Sequence, residues 1–245
     1  MSALTIVQLY PDELGVAGDR GNVMALTKRL EHAGHSVTVV AHEVGSVLPT
    51  DVDLVVVGNG PLSAMRNIHA DLLANADRLR ALRESGVPIF AYGSGAELLG
   101  HSISLLDGSS LEGLGILPLR ATRVASRSVG YVIVNSPFGQ VVGFEDNASR
   151  WTLDAGAKPF GILEAGTGNG EGSVEGLLDG SAIGTQVGGP VLPLNPLLTD
   201  AIIAFVAERR GLPTNSSAGN ESLELYATRA REVIISHAKH VFSRI

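Results

Sequence analysis

Pro88-Ile89-Phe90-Ala91-Tyr92-Gly93-Ser94-Gly95-Ala96-Glu97-Leu98-Leu99-Gly100 is the stretch whose reading decides the fold. The apolar run Pro88–Tyr92 reads as a strand covered on both faces. It turns through Gly93-Ser94-Gly95 and enters an apolar helical stretch with no linker. Strand, sharp turn and helix in immediate succession are the geometry of a nucleophile elbow, which lifts a side chain onto a helix N-terminus. Backbone N–H groups at such a turn can stabilise an oxyanion. The residue directly after the strand, where a nucleophile would stand, is Gly93. Glycine adopts strained backbone angles at little cost, so the turn can persist without the chemistry. The neighbouring Ser94 reads, with Glu97, as a capping box closing the helix start. A catalytic serine is the competing reading.

The segments around the elbow alternate strand and helix. Thr5–Tyr10, Ser36–Ala41 and Asp53–Val57 are apolar and rich in β-branched residues. Between the first two, Val23, Leu26, Leu30 and Ala33 fall at helical spacing, with Asp19 as the expected cap and Gly34 as the stop. One long helix is predicted from about Pro61 to Ser85, its stripe formed by Leu62, Met65, Ile68, Leu72, Leu79 and Leu82. This order predicts a three-layer, flavodoxin-like α/β fold with a mostly parallel sheet. From Gly113 to Val187 the segments become short, β-like and glycine-separated, and hairpins are expected over Arg123–Val134, Gln140–Glu145, Pro159–Glu164 and Ser181–Val187. The glycine-dense run Gly166–Gly172 lacks phosphate-loop spacing and reads as a mobile hairpin tip. Asn195 and Pro196 start a helix that Gly211 and Pro213 stop. After a polar linker, a last amphipathic helix places Leu223, Tyr226, Ala230, Val233, Ile234 and Val241 on one face. The expected division is an α/β domain over 1–212 and a linker with C-terminal helix over 213–245.

The chain has 245 residues, 18 basic and 25 acidic, for a formal net charge of −7. That balance argues against a nucleic-acid surface or an anionic-membrane face. There are no cysteines, which excludes disulfides, a thiolate nucleophile and cysteine-ligated metal centres. No apolar stretch reaches the roughly 18 residues of a spanning helix. The segment Met1–Thr5 lacks a basic region ahead of an apolar run, so no secretory signal is read and a cytoplasmic location is expected. No metal or cofactor is expected. His237 and His240 lie three apart on the last helix but read as its polar face. His32 and His35 flank a helix end, where cationic groups are favoured. Asp12, Glu13 and Asp19 form an acidic group without a clear metal pattern. Arg78, Arg80 and Arg83 read as a solvated helix face.

At the elbow the chain resembles the class I glutamine amidotransferases of the cobyric-acid-synthase (CobB/CobQ-like) type, and within them the GatD-type subunits. The likeness covers about residues 4–212. It rests on Leu9-Tyr10-Pro11-Asp12-Glu13-Leu14, Gly18-Asp19-Arg20-Gly21-Asn22, the elbow with Leu98-Leu99-Gly100, and Gly113-Leu114-Gly115-Ile116-Leu117. Val142-Gly143-Phe144-Glu145, Gly184-Thr185, Gly189-Pro190 and Asn195-Pro196 continue it in the same order. The resemblance implies that Gly58-Asn59-Gly60 is the oxyanion loop and that Arg127 matches a substrate-holding arginine. It also implies that the family's cysteine nucleophile is replaced by Gly93, and its histidine, directly before a Gly-Pro pair, by Gly188. No histidine lies between 102 and 236.

The expected function is therefore an amidotransferase-like subunit without glutaminase activity. By resemblance, it would hold or regulate a Mur-ligase-like partner acting on cell-wall precursors. Two other readings stand beside it. One is an active amidotransferase using Ser94 or residues lent by a partner. The other is a sensor whose vestigial pocket, lined by Gly60, Ser94 and Arg127, binds glutamine or a related amino acid without reaction. An ion pair is the structural alternative for Arg127.

Overall fold

In the computed structural model, residues 2–16, 18–170, 172–213, 220–238 and 243–244 are described. The first half runs β1 (Ala3–Leu9), α1 (Asp19–His32), β2 (Ser36–His42), β3 (Leu54–Val57), α2 (Leu62–Ala74), α3 (Ala76–Glu84), β4 (Ile89–Tyr92) and α4 (Ser94–Leu99). The middle contributes β5 (Ser102–Ser104), β6 (Ser110–Glu112), β7 (Leu119–Ser136), β8 (Gly139–Leu153), β9 (Gly161–Ala165) and β10 (Val174–Glu175). The chain then continues through β11 (Leu177–Asp179), β12 (Ala182–Thr185), α5 (Val191–Leu194), α6 (Pro196–Arg210) and α7 (Glu221–His237) to β13 (Ser243–Arg244).

The expected α/β architecture is present. The main sheet has the order β11-β12-β4-β3-β1-β2, parallel throughout except for the edge pair β11–β12. The inner strands β1, β3, β4 and β12 read as apolar runs because both faces are covered, whereas the edge strand β2 is apolar in sequence but largely exposed. Val7, Leu9, Val55 and Val57 point to one core, against Met65, Ile68 and Leu72 of α2 and Leu79 and Leu82 of α3. Leu4, Ile6, Leu54, Val56 and Phe90 point to the other, against Val23 and Leu26 of α1 and Ile202 and Val206 of α6.

The second sheet is built on the hairpin of β7 and β8, in register from Leu119↔Leu153 to Ser136↔Gly139 with an irregularity between Arg123 and Ser128. β5 and β9 extend it. Ser181–Val187 is more than a hairpin arm. β12 does pair antiparallel with β11, but its other edge pairs parallel with β4, with Thr185 opposite Tyr92. Short length hid this strand's place in the main sheet.

Several local expectations need correction. The long helix breaks at Asn75, the C-cap of α2 and N-cap of α3. Asn75 donates back to the Asp71 carbonyl and carboxylate, a local bond that competes with helix continuation. Asp19 is the first residue of α1 rather than its cap, which is Gly18 in the left-handed region. Asn195 occupies the N-cap position of α6, followed by Pro196, yet its side chain bonds elsewhere. Its amide donates to the carbonyls of Val142 and Val191, and its oxygen accepts the Val142 N–H. Arg78, Arg80 and Arg83 are staples rather than a solvated face. They donate to the carbonyls of Pro49 and Thr50, to that of Leu114, and to that of Asp179, respectively. On α7, Leu223, Tyr226 and Val233 face solvent. Ala227 is buried, and Ile234 with Ala238 packs on Ile133 and Val142. Val241 and His240 lie outside the described residues.

Asn195 ties β8 to the start of α6, so its loss should loosen the second sheet from the first. Asn195→Ala removes three buried hydrogen bonds, at about 1 kcal/mol each. Urea unfolding should show a midpoint lowered by an equivalent of about 3 kcal/mol with an unchanged slope.

Candidate functional site

Loops leaving the carboxyl ends of β3, β4 and β12 converge, as the register of adjacent parallel strands requires. The centre is the elbow. Gly93 has φ 53° and ψ −123°, a conformation that disfavours side chains. Its N–H donates to the Thr185 carbonyl at 2.9 Å. A Cβ here would meet the Asn59 side-chain oxygen at 2.5 Å.

Both backbone donors expected to form an oxyanion hole are occupied within the chain. The Ser94 N–H donates to Asn59 Oδ1 at 2.9 Å, and the Gly60 N–H donates to Ser94 Oγ at 2.8 Å. Ser94 is therefore neither half of a capping box nor an approachable nucleophile. It is 2% exposed, and its oxygen holds the β3 loop. Glu97 does not reach back to the helix start either. Its carboxylate accepts the Arg123 guanidinium at 2.6 Å and the Trp151 indole N–H at 3.2 Å. The capping-box spacing is present, but tertiary partners outcompete the local bonds.

Gly188 pairs with Phe144 in an isolated bridge, its N–H donating to the Phe144 carbonyl at 2.7 Å. A Cβ at this position would overlap the Tyr92 phenol. Tyr92 is buried, and that burial, with the carboxylates of Asp19 and Asp146 nearby, raises its pKa well above the ordinary phenol value. The ring thus fills, as a neutral group, the space a side chain at 188 would need.

These loops and the β7–β8 hairpin enclose an open cleft of about 890 Å³. Gly60, Gly93, Ser94 and Arg127 all line it, so four sequence-singled positions come together; Gly188 sits just behind, with Gly189 on the lining. Arg127 is ion-paired with Asp146, whose hydrogen bond raises the guanidinium pKa further. Arg66 pairs with Asp107 at 3.9 Å. With Arg123 on Glu97, each of these cleft arginines meets a carboxylate. Among the described residues no histidine lines the cleft. His42 lies 3.4 Å from Asp71, His69 bonds the Glu112 carbonyl and His101 bonds Asp154. His32 contacts Asn220, and His237 bonds within its own helix. Asp12 pairs with the Arg20 guanidinium, while the Asp19 carboxylate accepts the Asn59 N–H at 3.3 Å. Among the described residues no group of metal-ligating side chains assembles.

Behind the cleft lie two buried carboxylates. Glu145 accepts the Thr167 and Gly168 N–H groups at 2.9 to 3.2 Å. The glycine-dense hairpin connection is thereby tied to β8. Glu175 accepts from the Thr185 hydroxyl and, at 2.6 Å, from the Gln186 N–H. Burial pushes its pKa up to about 7, and the nearby Glu145 charge acts in the same direction.

Sequence reasoning passed over Tyr92, Arg123 and Gln186 as site residues. Asn59 stood inside a quoted motif, but only the fold shows where its oxygen points. The buried carboxylates carried no local signal, because their partners are backbone groups brought together by the second sheet.

Residues 5–195 match the family model of the CobB/CobQ-like glutamine amidotransferase domain. The chain is 30% identical over 241 residues to a Staphylococcus aureus protein described as lipid II isoglutaminyl synthase (glutamine-hydrolyzing) subunit GatD, covering 97% of each. A crystal structure of a glutamine amidotransferase superposes with TM-score 0.55 at 16% identity, covering 84% of this chain and 99% of the other. A second, from Thermotoga maritima, gives 0.53 at 13%, covering 94% and 93%. PurLQS from Thermotoga maritima gives 0.52 at 14%, covering 84% and 100%. These solved structures share the fold.

The raised pKa of Glu175 has a measurable sign. Between about pH 4.5 and about pH 7 the folded protein keeps a proton that the unfolded chain has lost, so stability falls as pH rises through that window. The fall should be of order 3 kcal/mol, at about 1.4 kcal/mol per pKa unit. Urea midpoints measured across the window should decline for the wild type and flatten for Glu175→Gln.

Proposed function

The chain belongs to the CobB/CobQ-like glutamine amidotransferase family, and on that premise we propose that it is a GatD-like subunit without glutaminase activity. In this reading it is the structural or regulatory partner of a Mur-ligase-like subunit acting on cell-wall precursors. The observation that carries the proposal is the occupied oxyanion site. Asn59 and Ser94 take up both donors, in front of an elbow residue that has no side chain.

Each missing part is large in catalytic terms. Removing a single oxyanion donor costs about 10²–10³ in turnover, and general acid–base catalysis is worth about 10²–10⁴. Here the nucleophile position is Gly93, the family's histidine position is Gly188, and both donors are engaged internally. Ser94 is a weak substitute, since its oxygen accepts the Gly60 N–H and no histidine among the described residues lines the cleft to take its proton.

The relative's printed description, a subunit of a glutamine-hydrolyzing lipid II isoglutaminyl synthase, supports the assignment to peptidoglycan precursor metabolism and to a complex. Purification from the native source should bring down a Mur-ligase-like chain. Recovery of the subunit alone under gentle conditions would count against the partner reading. The purified complex should release no ammonia from added glutamine above background. Glutamine-dependent release that is lost in Arg127→Ala would overturn the non-catalytic reading.

A second reading is favoured by the preserved cleft with its Arg127–Asp146 pair: an amino acid held without reaction. Calorimetry with glutamine and glutamate separates the two, with saturable heat that disappears in Arg127→Ala supporting the sensor.

Restoring the two family residues should not restore chemistry. A side chain at 93 meets Asn59, and one at 188 meets Tyr92. The double variant Gly93→Cys with Gly188→His is expected to lose at least about 2 kcal/mol of stability, from overpacking at two sites, and to show no glutaminase turnover.

A further inference from the structure

We infer that the protein forms a two-fold dimer through the open edge of its main sheet, β2 of one copy pairing antiparallel with β2 of a second. The two edges of that sheet differ. At one end β11 is 3 residues long, and Leu178 is bridged there by Lys158. At the other end β2 runs 7 residues, Ser36-Val37-Thr38-Val39-Val40-Ala41-His42. Edge strands are commonly blunted against pairing by lysine, proline, a bulge or an inward charge. β2 carries no proline, lysine, arginine or carboxylate, and its register with β1 is unbroken from Ala3↔Ser36 to Leu9↔His42.

The ladder fixes which backbone groups face outward. The Ser36 N–H donates to the Ser2 carbonyl, and the His42 carbonyl accepts the Tyr10 N–H. The even-numbered residues of β2 therefore bond inward, to β1. Alternation turns the N–H and C=O of Val37, Val39 and Ala41 outward, where no described strand lies beside them. About a two-fold axis at Val39, Val39 meets itself and Val37 meets Ala41. Each then exchanges both backbone bonds with its counterpart, as the hydrogen-bonded pairs of an antiparallel ladder do. An axis at any other residue of β2 leaves at least one of the three without a counterpart among them. The edge is thus complementary to itself in one register.

The side chains agree with that register. Val39 is 41% exposed and Met24 of α1 63%. With Val23 and Ala41 they line an apolar groove of about 520 Å³ beside the edge. An axis perpendicular to the sheet keeps α1 of both copies on the same face, so the Met24 and Val39 side chains of each copy close over those of the other and shed water. At each end of the paired strands His35 stands opposite Glu43 of the second copy, an imidazole against a carboxylate. Pairing uses up the edge of both copies, so the assembly closes at two. The inference concerns a surface outside the cleft and does not rest on the partner reading.

The lack of cysteine makes the register directly readable. Val39→Cys puts each chain's one thiol on the axis, where hydrogen-bonded neighbours stand about 5.5 Å apart at Cα, within disulfide reach. Mild oxidation should give a covalent dimer. Val37→Cys leaves the two thiols four residues out of step, about 13 Å along the strands, and should not crosslink. Sedimentation equilibrium of the wild-type full-length chain should show a reversible monomer–dimer equilibrium. Val39→Pro deletes an outward donor at an edge position that tolerates proline. It should raise the dissociation constant roughly thirtyfold, about 2 kcal/mol, for the two bonds lost across the axis, with the circular dichroism spectrum unchanged. Should that variant unfold, the two cysteine variants decide alone. A wild-type chain that sediments only as monomer, equal crosslinking at 37 and 39, or a dimer untouched by a folded Val39→Pro would overturn the inference. So would amides of Val37, Val39 and Ala41 that are shielded from hydrogen exchange only in complex with a co-purified protein, which would assign the edge to that protein.

Discussion

The left-handed turn at Gly93 is the constraint on which the rest of the site depends. It is held from two sides: its N–H is bonded to Thr185 on β12, and the next residue is clasped by the β3 loop through Asn59. A parallel sheet places those neighbours beside β4 by register alone. Once the turn is fixed, the contents of the cleft follow. The N–H groups of Gly60 and Ser94 point at the protein's own oxygens. The ring of Tyr92 fills the space a side chain at 188 would take. The turn keeps its shape because glycine at 93 makes the strained angles cheap, and internal hydrogen bonds satisfy its donors.

Electrostatic closure reinforces this. Arg123 is held on Glu97, and Glu97 also receives the Trp151 indole, so the charge buried behind the elbow is matched and hydrogen-bonded on both sides. Such a network is costly to break, because removing one partner leaves the other without compensation. At the rim, Arg127 and Asp146 are half-exposed, and solvent screening makes their pairing worth little to stability. The cleft therefore has a rigid, self-satisfied floor and an adjustable rim.

Much of this was legible in the residues. Pro88–Gly100 announced the elbow, and the β-branched runs announced the parallel sheet, because local pattern and global packing agree there. Legibility failed where a polar side chain had two suitors. Ser94 and Glu97 have capping-box spacing, yet the β3 loop and Arg123 bind them. Asn195 stands at a helix start but stitches β8 to α5. Arg80 has the look of a solvent-facing residue on a helix and instead holds the Leu114 carbonyl. In each case the competing partner lies far along the chain, so no window of sequence contains it. The break at Asn75 is a subtler failure, since the apolar stripe continues across it and only the local bonds to Asp71 reveal it.

Glu145 and Asp146 are consecutive residues on one strand, so their side chains leave opposite faces of the second sheet. One grips the backbone of the glycine-dense connection between β9 and β10; the other grips Arg127 at the cleft mouth. A single peptide unit of β8 therefore separates the carboxylate that fastens the connection between β9 and β10 from the one that fastens the guanidinium at the cleft mouth.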